Sequence, residues 1–381
     1  MKKKLDAILK YIRESDMLLL ALCLFSSIYG IILISSTTRN MSENSNVYTQ
    51  VISLIIGVGL YVLFSILDIE TIADKSKILY VMSILFISTL FIWGYESSGN
   101  RAWLRFGSFG IQPAEVVKIP YTIILAKMIS DYKERRTLNA PISLLKIIAV
   151  FSVMFIFIIV SSQDLGSALV YVFILVIMLF VGGIDLKWML LGFGVVTAAL
   201  PLAWKFALSE IQKNRILAPY YPATIDPSGR GVTWQPNQSR MAIASGDFSG
   251  QGLYSGHMTQ SGAVPMQHTD FIFSVAGEEL GFIGSFLIIA LLLAIITRCI
   301  HVGIKSNNTI GMLVCTGLAA MLIVQTFENI GMCLGLTPVI GLTLPFFSYG
   351  GSSLITMFAA MGIVSGIKMR PKPMRTRNYG R

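Results

Sequence analysis

Ten runs of predominantly apolar residues, most joined by short polar connections, limit what this chain can fold into. Crossing a hydrocarbon layer about 30 Å thick takes about 20 helical residues. Candidate spans lie at roughly 16–36, 48–66, 78–95, 112–130, 142–161, 165–182, 187–205, 280–300, 309–333 and 351–368. The fourth and sixth carry polar residues at one end. In lipid each backbone N–H and C=O must be bonded within its own segment, so such runs become helices. The expected fold is an all-α polytopic membrane protein of about ten transmembrane helices, with a large folded extracellular loop between spans seven and eight. Only 13% of the 381 residues are charged and 54% are hydrophobic, against about 25% charged in soluble domains.

The formal net charge of +10 raises the question of nucleic acid. The basic residues fall instead where membrane topology puts them. Lys2, Lys3, Lys4, Lys10 and Arg13 precede span one, Lys133, Arg135 and Arg136 follow span four, and Lys368, Arg370, Lys372, Arg375, Arg377 and Arg381 follow span ten. An even number of spans brings these groups to one face, and excess Lys and Arg marks that face as cytoplasmic. The opposite short loops hold only Arg39, Arg101 and Arg105. The expectation is a multi-pass protein of the cytoplasmic membrane with both termini inside and no nucleic-acid partner. It divides into one membrane domain with an N-terminal arm (1–15), an extracellular loop (206–279) and a basic tail (369–381). No small-residue cleavage site follows the first apolar run, so that run reads as a retained span. Cys23, Cys299, Cys315 and Cys333 lie inside apolar segments without metal-ligand spacing, and read as packing residues.

The 206–279 connection is far longer than two helices need. It is rich in Gly, Pro, Gln and Ser, with Ile216, Leu217, Tyr220, Tyr221, Trp234, Leu253 and Tyr254 interspersed, which suits a cap folded on the membrane surface. It ends in Pro265-Met266-Gln267-His268-Thr269-Asp270-Phe271, where water gives way to lipid. An acid at that border has two readings: Thr269 or Asp270 caps the following helix, or the carboxylate does chemistry there.

Other polar clusters fall on the same face. Trp103 stands between Arg101 and Arg105, as an interfacial site or as an aromatic-belt anchor. Span four opens Gln112-Pro113-Ala114-Glu115-Val116-Val117-Lys118. Glu115 and Lys118, three apart, share a helix face as a structural ion pair or as part of a cleft. Asp164 begins span six, where it also suits an N-cap. The apolar, Gly- and Pro-broken connection 335–353 must be covered by protein or line a cavity. Its segment Ser348 through Ser353, at the start of span ten, offers backbone N–H groups to an anion or simply makes a tight turn.

Three motifs, in this order, resemble the shape, elongation, division and sporulation (SEDS) family over essentially the whole chain. They are Gln112-Pro113-Ala114-Glu115-Val116-Val117-Lys118, Gln267-His268-Thr269-Asp270-Phe271-Ile272-Phe273 with Gly277-Glu278-Glu279-Leu280-Gly281, and Pro345-Phe346-Phe347-Ser348-Tyr349-Gly350-Gly351-Ser352. Arg215-Ile216-Leu217, Asp226-Pro227, Gln238-Ser239 and Ala242-Ile243 look more like the elongation (RodA) branch than the division (FtsW) branch. The chain departs from the family pattern at Ala114, usually Ser, Gln163, usually Pro, Met266, usually Glu, and Asp247, often Gly.

The resemblance implies a peptidoglycan glycosyltransferase that polymerises lipid II, a disaccharide-pentapeptide on undecaprenyl diphosphate, by an inverting transfer in cell elongation and shape maintenance. It implies Asp270 as general base and Lys118 with Arg101 or Arg105 facing the diphosphate. Glu115 would orient Lys118, and Trp103 would stack on a sugar or anchor its loop. Gln112, Asp164, His268, Ser348, Tyr349, Gly350 and Gly351 would complete the substrate site. A divalent cation such as Mg2+ would suit the leaving group, although no metal-ligand cluster is visible. Expected partners are a class B penicillin-binding protein transpeptidase and other proteins of a cell-wall elongation complex. A lipid II flippase or other transporter, a non-enzymatic scaffold, and the division or sporulation branch of the same family are the competing readings. Acids gathered on one face instead of along a midplane path speak against transport.

Overall fold

The computed structural model describes residues 2–39, 45–97, 100–107, 109–206 and 208–370. An N-terminal helix α1 (Lys2–Glu14) leads into α2 (Met17–Thr37), capped by Asp16, and α3 (Ser45–Ile66) follows. After α4 (Ile69–Asp74), the third span is built from α5 (Ser76–Ser88) and α6 (Leu90–Trp93). A small sheet of β1 (Tyr95–Ser97), β2 (Asn100–Phe106) and β3 (Phe109–Ile111) comes next. The chain then re-enters the bundle as α7 (Pro113–Val116) and α8 (Lys118–Glu134), continuing through α9 (Pro141–Ser162), α10 (Leu165–Gly182) and α11 (Leu186–Phe206). The long loop holds α12 (Glu210–Leu217), α13 (Pro222–Ile225), α14 (Trp234–Ser245) and α15 (His257–Gln260). The bundle closes with α16 (Ile272–Lys305), α17 (Thr309–Cys333) and α18 (Gly351–Met369).

Nine of these helices are long and apolar enough to cross a membrane, among the described residues. The fourth expected span exists as a helix but falls outside that set. It is broken at Val117, where α7 meets α8, and Lys118, Lys127, Asp131, Lys133 and Glu134 make α8 polar for a span. Protein surrounds its first three turns, where Ile119, Tyr121, Ile123, Leu125 and Ala126 are buried. The small sheet departs from an all-helical loop. Ala102 and Leu104 alternate inward along β2 while Arg101 and Arg105 are exposed, the period-two pattern of a half-buried strand. The basic tail from 371 to 381 lies outside the described residues. All four cysteines are buried free thiols, as packing residues should be.

Close backbone approach sets the core. On α18 a Cβ at Gly362 would lie 2.5 Å from Tyr61 O, and one at Gly366 2.7 Å from Ser65 O, so α3 and α18 meet along a seam only small residues permit. At the end away from the long loop, the fully buried Asp16 takes Arg298 Nε and Nη2 at 2.8 and 3.1 Å. Lys368 Nζ stands 3.4 Å from the same carboxylate, so Asp16 ties α2 to α16 and α18.

The long loop is a folded cap. Glu278 accepts from the N–H groups of Met258 and Thr259 at 2.7 and 2.8 Å and from the Thr259 hydroxyl at 2.6 Å. Glu279 accepts from Ser36 Oγ at 2.6 Å and Gln260 Nε2 at 3.0 Å. The Gly-Glu-Glu-Leu-Gly motif is therefore structural. At Gly281 (φ +65°, ψ −158°) the short segment from Ile272 turns into the span itself. Gly250 (φ +80°) lies so close to it that a Cβ would sit 2.2 Å from Glu279 O. Gly250→Ala should cost about 2 kcal/mol or more, seen as a lower thermal midpoint and faster proteolysis within 206–271.

Candidate active site

The helix α16 begins with Phe271 at its N-cap and no side-chain cap bond, so neither Thr269 nor Asp270 does the capping that the sequence allowed. The Asp270 backbone is pinned on both sides. Its N–H donates to Met266 O at 3.1 Å, and its C=O accepts from Asn329 Nδ2 of α17 at 2.8 Å. The carboxylate lies in a recess, partly exposed, and Gly341 of the 335–350 stretch leaves room for it: a Cβ there would sit 3.6 Å from Oδ2. Desolvation raises its pKa from 3.8 to about 6; Thr269 and the Arg215 charge lower it, and Asp164 adds to the rise. Such a carboxylate is mostly ionised at pH 7 and is a better proton acceptor than an ordinary aspartate.

Beside it, Lys118 Nζ donates to Glu115 Oε1 at 2.5 Å; the lysine is fully buried and Glu115 only 4% exposed. Glu115 Oε2 has no hydrogen-bond partner among the described residues. Asp164 caps α10 through Ser167 N–H at 3.1 Å and also accepts from Ser167 Oγ at 2.7 Å and Gln112 Nε2 at 2.9 Å. Burial raises the Asp164 pKa; Ser167 opposes that, Glu115 adds to it and Lys118 lowers it. Glu115, Lys118, Asp164 and Asp270 are thus within electrostatic reach of one another in a chain. The pair is at once structural and part of the cleft. Lys118 is no free cation, because two acids share its charge.

The 335–350 stretch closes over this cluster. Gly166 lies so near it that a Cβ would stand 2.6 Å from Ile340 O. Ser348 Oγ donates to Thr269 O at 2.6 Å and accepts from Leu344 N–H at 2.8 Å. Tyr349 N–H donates to His268 O at 2.8 Å, and Gly350 N–H to Gln50 Oε1 at 3.1 Å. The N–H groups of residues 349 and 350 are thereby spent inside the protein, as in the tight-turn alternative for this segment. Gly351 opens α18. His268 and Tyr349 rings lie 5.6 Å apart, and burial lowers the His268 pKa and raises that of Tyr349.

On β2, Arg101, Trp103 and Arg105 share a face. Arg101 Nε donates to Gly94 O at 3.0 Å, Arg105 lies 4.1 Å over the Tyr95 ring, and Trp103 packs over Gly110. The Arg105 charge also reaches Tyr349, which puts the strand beside the 348–350 turn, whereas Arg101 is committed to its own loop.

The sequence reading missed Gln50, Ser167 and Asn329. Gln50 is a buried amide inside α3, and such a group in a span demands a partner. It donates to Ser348 O at 3.1 Å while accepting from Gly350 N–H, so it clamps the turn that holds Thr269. Gln50→Leu should lower activity about tenfold to a hundredfold by misplacing Asp270. It should also cost about 1–3 kcal/mol for the polar groups left unpaired, measured by initial rates and thermal midpoint.

The FtsW/RodA/SpoVE family model, described as "Cell cycle protein", matches residues 14–372. The peptidoglycan glycosyltransferase MrdB of Escherichia coli (strain K12) is 34% identical over 297 residues, covering 77% of this chain and 78% of MrdB. The probable peptidoglycan glycosyltransferase FtsW of Geobacter metallireducens is 31% identical over 377 residues, covering 96% of this chain and 97% of that protein. A solved structure described as "Structural coordination of polymerization and crosslinking by a peptidoglycan synthase complex" superposes with a TM-score of 0.77 at 28% identity, covering 93% of this chain and 97% of that one. The rod shape determining protein RodA of Thermus thermophilus gives a TM-score of 0.66 at 25% identity, covering 93% of this chain and 96% of that one.

Proposed function

The chain belongs to the FtsW/RodA/SpoVE family, and from that premise we infer that it is a peptidoglycan glycosyltransferase. We propose that it polymerises lipid II at the outer face of the cytoplasmic membrane, with Asp270 as general base. The observation that carries this reading is one carboxylate, free of ion pairs among the described residues, raised to a pKa of about 6 and held by its backbone beside the Glu115–Lys118–Asp164 cluster.

In this reaction the 4-hydroxyl of an acceptor sugar attacks C1 of the donor. The C1–O bond to the diphosphate breaks as the new glycosidic bond forms, and the hydroxyl proton goes to Asp270. One base suffices for a single inversion, and it contributes about 10²–10⁴-fold. A substrate with a lipid tail and a sugar head brings its reacting bond to the membrane border, where Asp270 stands. Glu115 and Asp164 hold the buried Lys118 in place, and Trp103 offers a sugar an aromatic face. Among the described residues no group of three or more His, Cys, Asp or Glu stands ready to hold a metal ion. A Mg2+ serving the leaving group would therefore arrive on the substrate's own phosphates.

The outward orientation follows from the Lys and Arg distribution along the sequence. The loop pieces around Arg215, Asp226, Gln238 and Ala242 favour a role in elongation. A class B penicillin-binding protein that crosslinks the product is the natural partner, in keeping with the polymerisation and crosslinking named for the similar synthase complex.

The test is the purified chain in detergent with lipid II and no other enzyme. Glycan strands should accumulate. Lipid II that instead crosses a vesicle bilayer without being joined would overturn the reading in favour of transport.

A further inference from the structure

A diphosphate needs cations that are free to meet it, and the acidic cluster beside Asp270 offers none. Lys118 is buried and bonded to Glu115 at 2.5 Å, with Asp164 acting on it as well, so its charge is already shared by two acids. An anion brought there finds no free cation. The cation whose charge does reach Asp270 is Arg215, at the C-terminal end of α12. It is exposed and makes no salt bridge with the described residues.

Arg215 lines a small, solvent-open pocket of about 40 Å³ together with Arg240 of α14, Asn237, Thr233 and Gly335. The pocket is built, not incidental. Arg240 Nη2 donates to Asn237 Oδ1 at 2.6 Å, which orients the guanidinium and leaves its other donors over. Gly335 (φ +72°) passes beneath it, and a Cβ there would stand 3.1 Å from Arg240 Cδ. Asp226 forms no ion pair with either arginine among the described residues and is turned into its own loop. It accepts from Ser228, from the Gly231 N–H and from Thr233. Gly335 belongs to the same 335–350 stretch that covers Asp270, so the pocket adjoins the proposed base.

We propose that Arg215 and Arg240 form a phosphate subsite that holds the diphosphate of a lipid-linked substrate. The proposal rests on the glycosyl-transfer reading and assigns its leaving-group contact to this pocket instead of to Lys118. As the C1–O bond breaks, its electron pair goes to the departing diphosphate, which gains one negative charge. Two guanidinium forks meet that charge bidentately, which a lysine does not do. The proton released by the attacking hydroxyl goes to Asp270 on the other side of the reacting carbon.

The experiment measures binding separately from turnover. Wild type, Asp270→Asn, Arg215→Gln, Arg240→Gln and the double arginine variant are titrated in detergent with undecaprenyl diphosphate, with undecaprenol and inorganic diphosphate as comparison probes. Asp270→Asn, which removes a negative charge beside the pocket, should bind undecaprenyl diphosphate at least as tightly as wild type. Each arginine variant should bind about tenfold more weakly or worse, and the double variant should bind no better than undecaprenol binds to wild type. Inorganic diphosphate should displace the lipid from wild type, which separates headgroup recognition from tail binding. Arg215→Lys, which keeps the charge without the fork, should fall between wild type and Arg215→Gln, and a normal thermal midpoint shows that each variant is folded. A double variant that is folded and keeps wild-type affinity overturns the subsite even if the chain polymerises lipid II. Arginine-dependent binding in a protein that makes no polymer would leave the subsite standing and overturn the glycosyltransferase reading instead.

Discussion

Asp270→Asn should abolish polymer formation while making the protein more stable at neutral pH. The amide has the size of the carboxylate and cannot accept the proton, so the rate should fall by about 10²–10⁴-fold. The gain in stability follows from linkage. Burial raises this carboxyl from 3.8 to about 6, so the folded state holds the proton more tightly than the unfolded chain does. Stability contributed by the protonated form is full below pH about 4 and is lost as the pH rises through about 6. At pH 7.5 the ionised group costs on the order of 3 kcal/mol, and the neutral amide relieves about 1–3 kcal/mol of it. Thermal unfolding at pH 7.5 and at pH 4.5 should show a higher midpoint for the variant at the first and a reduced or absent difference at the second. In wild type, kcat/KM should fall with a limb near pH 6 as Asp270 takes up its proton. An Asp270→Asn protein that still polymerises at the wild-type rate removes this residue from the chemistry. A flat pH profile between 5 and 8 would leave the carboxylate with a positioning role only.

Lys118→Met should damage the fold more than any other single change at the site. The lysine is fully buried and 2.5 Å from Glu115, whose second oxygen has no partner among the described residues, and Asp164 stands close by. Removing the only positive charge in that group leaves two buried acids facing each other. Breaking such a pair costs about 3–5 kcal/mol. The double variant Lys118→Met with Glu115→Gln removes charge from both partners and should recover most of that loss, because exchanging a buried pair for neutral residues of similar size is often close to neutral. Denaturant or thermal midpoints of the two single variants and the double variant form a cycle that measures the coupling. A coupling below about 0.5 kcal/mol would mean that the pair is solvated and that the cleft is wetter than its burial implies. Recovered stability in the double variant without recovered polymerisation is the expected pattern for residues that line the reaction as well as hold the fold.

Both predictions depend on features that were unequally legible in the sequence. The helices could be read, because about 20 apolar residues in lipid have little choice but to close their backbone bonds locally. The fourth was the exception: its polar residues are tolerable where protein covers them, which composition does not reveal. The small sheet was readable from the alternation at Ala102 and Leu104 but was hidden by the helical character of everything around it. Gln50 was legible as a polar residue inside a span, but its partners at Ser348 and Gly350 lie about 300 positions away. The 349–350 donors looked available for an anion because nothing local consumes them.

By itself the sequence determined the membrane class, the order and extent of nearly all the helices, the long folded loop and the carboxylate that ends it. These follow from hydropathy, period and motif, which are properties of neighbouring residues. Only the tertiary structure decided that Phe271 takes the cap and leaves Asp270 free of it, that Lys118 is tied to Glu115 with Asp164 close by, and that Arg215 and Arg240 meet in one pocket. Each of these depends on which charges and donors from distant segments arrive at the same few ångströms. Coulomb energy and desolvation at that range are set by distance and burial, and neither is written in the order of residues along the chain.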